Sequence, residues 1–232
     1  MSAYAITDQR AGLRLLGSGL PALDSEVARL AAFLNRANWD APSRCAEWSV
    51  HDVVAHLASG ELYNDACLRD DLARLGHWDD DEQYNVEHVR RRRGLSHAMV
   101  HAEWLRRSTS VHDRWRAMAL ETLIPTGVGP YSLGMQVWHI ASEYATHADD
   151  IEVPVPPCAR ASRLAWRVAF SRYALRERAV PVEIVEREGR FQVSGAGESL
   201  WLAPAEFVDA VSARFFAGDG GLRGLLPVLV TT

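Results

Sequence analysis

The sequence predicts a mainly α protein, in which an up-and-down four-helix bundle precedes a small α+β domain. Three observations carry that expectation. Apolar residues recur at helical spacing in four long segments ahead of residue 153. Pro154, Pro156 and Pro157 then interrupt the chain as a linker would. Beyond them Val182-Glu183-Ile184-Val185 and Arg190-Phe191-Gln192-Val193 alternate, with a Glu188-Gly189 turn signal between them. The expected domains are residues 1–153, the bundle, and 154–232, the α+β part.

The first helix runs from Ser25 to Asn38, with Val27, Leu30, Ala31 and Leu34 on one face. A loop through Pro42 follows. Ser49-Val50-His51-Asp52 has the form of a capping box, a hydroxyl to cap and a carboxylate three residues on. It opens a second helix from Val50 towards Leu75. Asp79 to Glu82 reads as an acidic surface turn, and Arg90 to Arg93 as a solvated helix face. A third helix extends from Ser96 through Trp104 and Trp115 to Leu123, where Pro125, Gly127, Gly129 and Pro130 break it. Ser132 starts the fourth, which continues to about Ile151. In the C-terminal part, Arg160 to Arg178 is a helix, Leu200-Trp201-Leu202 a third strand, and Pro204 sits where a last helix begins, which 206–216 continues.

Composition narrows the function. The chain has 232 residues, a net charge of -5 and no lysine. An acidic balance without a basic face argues against a nucleic-acid partner. Three separated cysteines, Cys45, Cys67 and Cys158, form neither a disulfide framework nor a metal knuckle. The opening residues carry no signal-peptide core. No segment approaches the roughly 20 apolar residues of a membrane span. The expected protein is cytoplasmic, a monomer or homodimer with no membrane partner.

All nine histidines lie at or before position 147, so imidazole chemistry belongs to the bundle. Glu143 and His147 are spaced i, i+4, which puts both on one helix face, one turn apart. His56 sits in the otherwise apolar stretch Val53-Val54-Ala55-His56-Leu57-Ala58. A neutral imidazole facing a bundle core costs desolvation unless something engages it. Together His56, Glu143 and His147 would make three ligands with a fourth position open, the form of a catalytic metal site. Asp150 is placed to hydrogen-bond a ligand from outside. His139 lies four residues before Glu143, but that series drifts about 80° over two turns and suits one ion poorly. Spacing alone leaves the alternatives open: a hydrogen-bonded core histidine and a surface ion pair fit the same pattern.

The stretch Pro42-Ser43-Arg44-Cys45-Ala46-Glu47-Trp48-Ser49-Val50-His51-Asp52-Val53-Val54-Ala55-His56-Leu57-Ala58 resembles the N-terminal signature of the mycothiol-dependent maleylpyruvate isomerase family. Tyr84-Asn85-Val86 with the arginine run, and Glu143 to Ile151 followed by Pro154, resemble its later motifs. That family belongs to the DinB-like superfamily of metal-binding four-helix bundles. The resemblance spans roughly residues 20 to 155 and implies that His56, Glu143 and His147 bind a divalent metal, zinc or another. It implies mycothiol as cosubstrate and a small electrophile as substrate. It also implies a catalytic arginine from the C-terminal domain, for which Arg214 and Arg223 are the candidates. The expected enzyme is therefore a metal-dependent isomerase or thiol S-transferase. A metal-assisted hydrolase or cyclase that uses no thiol, and a non-catalytic metal- or ligand-binding bundle, stand as the alternatives.

Overall fold

In the computed structural model, which describes residues 6–78, 80–195 and 197–214, the chain divides into two units, Met1–Val155 and Pro156–Thr232. The first contains α1 (Ile6–Leu16), α2 (Leu20–Leu34), α3 (Val50–Arg69), α4 (Asp81–Arg92) and α5 (His97–Arg116). A hairpin of β1 (Leu123–Thr126) and β2 (Gly129–Ser132) then leads into α6 (Leu133–Asp150). The second contains α7 (Pro157–Glu177), β3 (Glu183–Arg187), β4 (Arg190–Gly195), β5 (Glu198–Leu202) and α8 (Pro204–Val211). The fold class is the one the sequence predicts, mainly α with a helical bundle first and a small α+β unit second.

The capping box at the start of α3 is formed in both directions. The Asp52 N–H donates to Ser49 Oγ at 3.3 Å, and the Ser49 N–H donates to the Asp52 carboxylate at 3.1 Å. This satisfies two otherwise unpaired backbone N–H donors at the start of the helix. The helix stops at Arg69, short of the expected Leu75. Asp70 turns left-handed there, at φ 54°. Only a short 3₁₀ turn, Leu72–Leu75, follows. An Asp in the left-handed region ends a helix much as glycine does, because its short polar side chain tolerates that conformation.

Asp80 caps α4 by accepting the Gln83 N–H at 2.7 Å, so 80–82 form a helix start rather than the expected turn. The arginine run also departs from expectation. Arg90 and Arg91 pair with Glu87 on the surface. Arg92, in contrast, is buried, with its guanidinium on the Glu103 carboxylate at 2.8 and 3.0 Å and on the His88 carbonyl at 2.9 Å. Arg93 reaches Asp52 at 3.0 Å. A third helix ending at Arg116, with the hairpin after it, replaces the expected run to Leu123.

Chain direction reverses from each of these helices to the next. His51 of α3 meets the Arg92 carbonyl of α4 and Ser59 meets Tyr84, so these two run antiparallel. The return through α4 makes α5 parallel to α3, with His97 beside His51 and His112 beside Glu61. Helix α6 is antiparallel to α3. Leu23, Leu30, Val53, Leu57, Val100, Trp104, Val111, Trp115, Leu133, Val137 and Ala141 are buried in this unit. Burying large aliphatic and aromatic side chains in this way contributes most of its stability.

In the second unit Glu188 and Gly189 both have positive φ, 51° and 71°, as a two-residue hairpin turn requires. Arg187 then faces Arg190, and β3-β4-β5 form one antiparallel sheet. Phe191, Val193 and Leu202 from the sheet pack with Leu175 of α7 and Phe207 of α8. Pro204 opens α8 at Pro204–Val211, a shorter helix than expected, and the Glu206 carboxylate accepts the Ala203 N–H at 2.6 Å. No helix among the described residues is long and apolar enough to cross a membrane.

Candidate metal centre

His56 lies two turns into α3 from the cap, on the side of the buried Val53. Glu143 and His147 lie one turn apart in the last half of α6. His56 Nε2 is 2.7 Å from Glu143 Oε1, and His147 Nε2 is 3.1 Å from the same oxygen. All three donor atoms lie within 4.8 Å of one another. Two ligands each about 2 Å from a shared ion stand at most about 4 Å apart, so this spacing suits a single cation after small adjustment. The two imidazoles are nearly buried, with side chains 8 % and 7 % exposed, whereas Glu143 is 44 % exposed. The cluster is therefore walled on the histidine side and open on the carboxylate side.

The protonation states follow from this packing. Loss of water around its partly covered side chain would by itself raise the Glu143 carboxyl. The positive His147 ring and the hydrogen bonds from His147 and His56 outweigh that loss and hold it well below 4.5. Burial alone would lower the His147 imidazolium. The Glu143 charge and hydrogen bonds to Asp150, Cys45 and Glu143 outweigh it and hold it well above 6.5. Two imidazoles thus converge on one ionised carboxylate.

The other nitrogen of His147 faces outward from the cluster. Its Nδ1 lies 3.0 Å from Asp150 Oδ2, as the sequence suggests for a carboxylate three residues on. Cys45 is the residue that sequence reasoning missed. Its Sγ lies 3.2 Å from Asp150 Oδ2 and 3.8 Å from His147 Nδ1. The Arg44 N–H donates to the Asp150 carbonyl at 2.9 Å, which draws the loop before α3 onto the end of α6. No periodicity links residues 45 and 150, so no pattern in the sequence could have placed them together. Cys45, His147 and Asp150 form a second potential donor group. It shares His147 with the first but uses the opposite ring nitrogen. Trp48, from the same loop, packs its ring 5.2 Å from His56 and 6.3 Å from His147, centre to centre.

His139 takes no part in the triad: its Nε2 is 3.0 Å from the Tyr131 hydroxyl. Arg214 lies beyond the end of α8, where its guanidinium donates to the Ser212 carbonyl at 3.1 Å. Arg223 lies outside the described residues.

The mycothiol maleylpyruvate isomerase N-terminal domain matches residues 20–152 of this sequence, a span that contains all three triad residues. The chain belongs to that family. Two solved structures of the mycothiol-dependent maleylpyruvate isomerase, one of them a histidine-to-alanine mutant, share the fold. The mutant aligns with a TM-score of 0.53 and 14% identity, over 66% of this chain and 68% of its own. The other aligns with a TM-score of 0.51 and 15% identity over the same shares. No curated protein matches the sequence. The family match begins after α1, takes in α2 to α6, and ends before the α+β unit begins.

Proposed function

We propose that this member of the mycothiol maleylpyruvate isomerase family is a metal-dependent enzyme that uses a low-molecular-weight thiol, mycothiol, on a small electrophile. If the thiol adds to an activated double bond and leaves after rotation, the outcome is cis–trans isomerisation; if it stays, the outcome is S-transfer. The observation that carries this reading is the convergence of His56, Glu143 and His147 on one point with the carboxylate side open.

Two imidazoles and a carboxylate are a donor set suited to zinc and also to iron, nickel or cobalt. When bound, such an ion supplies a Lewis acid that favours the thiolate of a coordinated thiol, only a few per cent of which ionises unaided at pH 7. The chain's own residues do the rest. His56 and His147 each present Nε2, and Glu143 supplies the negative charge. Asp150 accepts the Nδ1–H of His147 and thereby fixes which nitrogen faces inward. Trp48 covers the two rings and excludes water from that side. Arg214 and Arg223 are assigned, within the same proposal, to a substrate carboxylate, for which a guanidinium fork is the natural partner. A cytoplasmic setting, where such thiols are kept reduced, belongs to this reading.

Turnover of a maleylpyruvate-type electrophile, measured with and without mycothiol and with and without metal, tests it. The expected result is turnover that needs both. Metal-dependent turnover that ignores the thiol would point to bound-water chemistry, and the thiol reading would fall.

A further inference from the structure

The bundle core holds a second polar cluster that the triad does not use. Glu61 of α3 is only 1 % exposed. The Tyr144 hydroxyl donates to Glu61 Oε1 at 2.7 Å, and His112 Nε2 lies 2.9 Å from the same oxygen. The Trp104 indole N–H donates to the Tyr144 hydroxyl at 2.8 Å. Asn64, one turn on from Glu61, donates weakly to Oε2 at 3.4 Å and accepts the Gln136 side-chain N–H at 2.9 Å. Residues from α3, α5 and α6 are thus tied together where hydrocarbon would be ordinary.

Stability does not account for this cluster. Taking a carboxylate and an imidazole out of water is costly, and apolar side chains of the same volume often serve a core as well or better. The best-attested use of buried polar groups is to fix register. The partners here are arranged to do that. His56, Glu61 and Asn64 follow one another down α3, and they meet Glu143, Tyr144 and Gln136 of the antiparallel α6. A slip of one residue along α6 would shift Glu143 by about 1.5 Å and turn it by about 100°. Apolar packing is non-directional, so it opposes such a slip without singling out one pairing of side chains. Hydrogen bonds at 2.7 to 2.9 Å do not tolerate it.

We propose that Glu61, acting through Tyr144, is a positioning residue for the metal centre: it fixes the register of α6 against α3 so that Glu143 meets His56. The inference rests on the metal-centre reading above for its consequence, and on the core hydrogen bonds for its cause.

The test compares Tyr144→Phe, Glu61→Leu and Glu61→Gln in the full chain. Phenylalanine and leucine delete the tie, whereas glutamine keeps an oxygen that accepts from Tyr144. Two readouts are taken: zinc affinity by competition with a chromophoric chelator, and the ring-nitrogen chemical shifts of His56 and His147 in metal-free protein. In Tyr144→Phe and Glu61→Leu, zinc affinity should fall about tenfold or more and the ring shifts should move. Glu61→Gln should stay within about threefold of the parent and keep its shifts. A merely structural role would lower melting temperatures and leave the ring shifts of the folded protein alone. Folded Tyr144→Phe and Glu61→Leu proteins with parental zinc affinity and shifts would overturn the proposal. Should Glu61→Leu fail to fold, Tyr144→Phe, which removes one oxygen, decides. If the parent chain takes up no zinc, the metal centre is refuted, and the ring shifts still decide the register claim separately.

Discussion

Glu143 Oε1 stands 2.7 Å from His56 Nε2, although 87 residues separate the two in the chain. That distance joins the two helices that each bring part of a donor set, α3 with one imidazole and α6 with a carboxylate and a second imidazole. The proposed metal centre depends on keeping it.

The first prediction concerns pH. Without metal, His147 is held protonated well above 6.5 and Glu143 ionised well below 4.5. A ligating His147 must lose its proton, so zinc affinity should rise with pH up to the raised His147 value, and uptake should release protons. The metal-free fold shows the opposite trend. The His147 contribution is fully present below 6.5 and fades as pH climbs through its raised value. The Glu143 contribution is present above 4.5 and fades as pH falls through its lowered value. Zinc titrations from about pH 5 to 9, and urea unfolding of chelator-treated protein from about pH 3 to 9, check both signs.

Asp150 and Cys45 should separate cleanly. Asp150→Asn removes the carboxylate that holds His147 Nδ1 and should weaken metal binding about tenfold. Cys45→Ser should leave metal stoichiometry intact, because its sulfur faces Nδ1 and not the inward nitrogen. Equal loss in both variants would move the ion to the Cys45, His147 and Asp150 group.

Glu103 should matter to stability more than a surface acid does. It pairs with the buried Arg92 at 2.8 Å. Glu103→Ala leaves that guanidinium without its carboxylate and should cost about 2–3 kcal/mol in urea unfolding, discounted for partial exposure of the pair. Glu87, on the exposed side of α4, should cost far less when replaced.

His88 should make the fold acid-sensitive. Burial, then the charges of Arg92 and Arg91, push its pKa down to about 4 from an ordinary 6.5. Between those values the unfolded chain binds a proton that the native one refuses, so stability falls as pH drops across this window. In His88→Gln the decline over that range should be shallower, as measured by urea midpoints.

The sequence made some of this legible for physical reasons and hid the rest. The Ser49 capping box, the i, i+4 pair on α6 and the Glu188-Gly189 turn are local, and local geometry is written in spacing. His56 stood out because an imidazole among Val53, Val54 and Leu57 needs a partner. A run of arginines carries no sign of which one turns inward; for Arg92 that is decided by Glu103 on the next helix. The hairpin of β1 and β2 is hidden in the sequence, since its prolines and glycines mark turns more strongly than strands. Cys45, Trp48 and Glu61 act only through tertiary contacts, and no periodicity announces them.

Metal content tests the central claim most directly. Purified parent chain, His56→Ala and His147→Ala, each offered zinc and passed through desalting, should give about one ion per chain for the parent and near none for either variant. Parental stoichiometry in both variants, with helical content unchanged, would contradict a centre built on these residues.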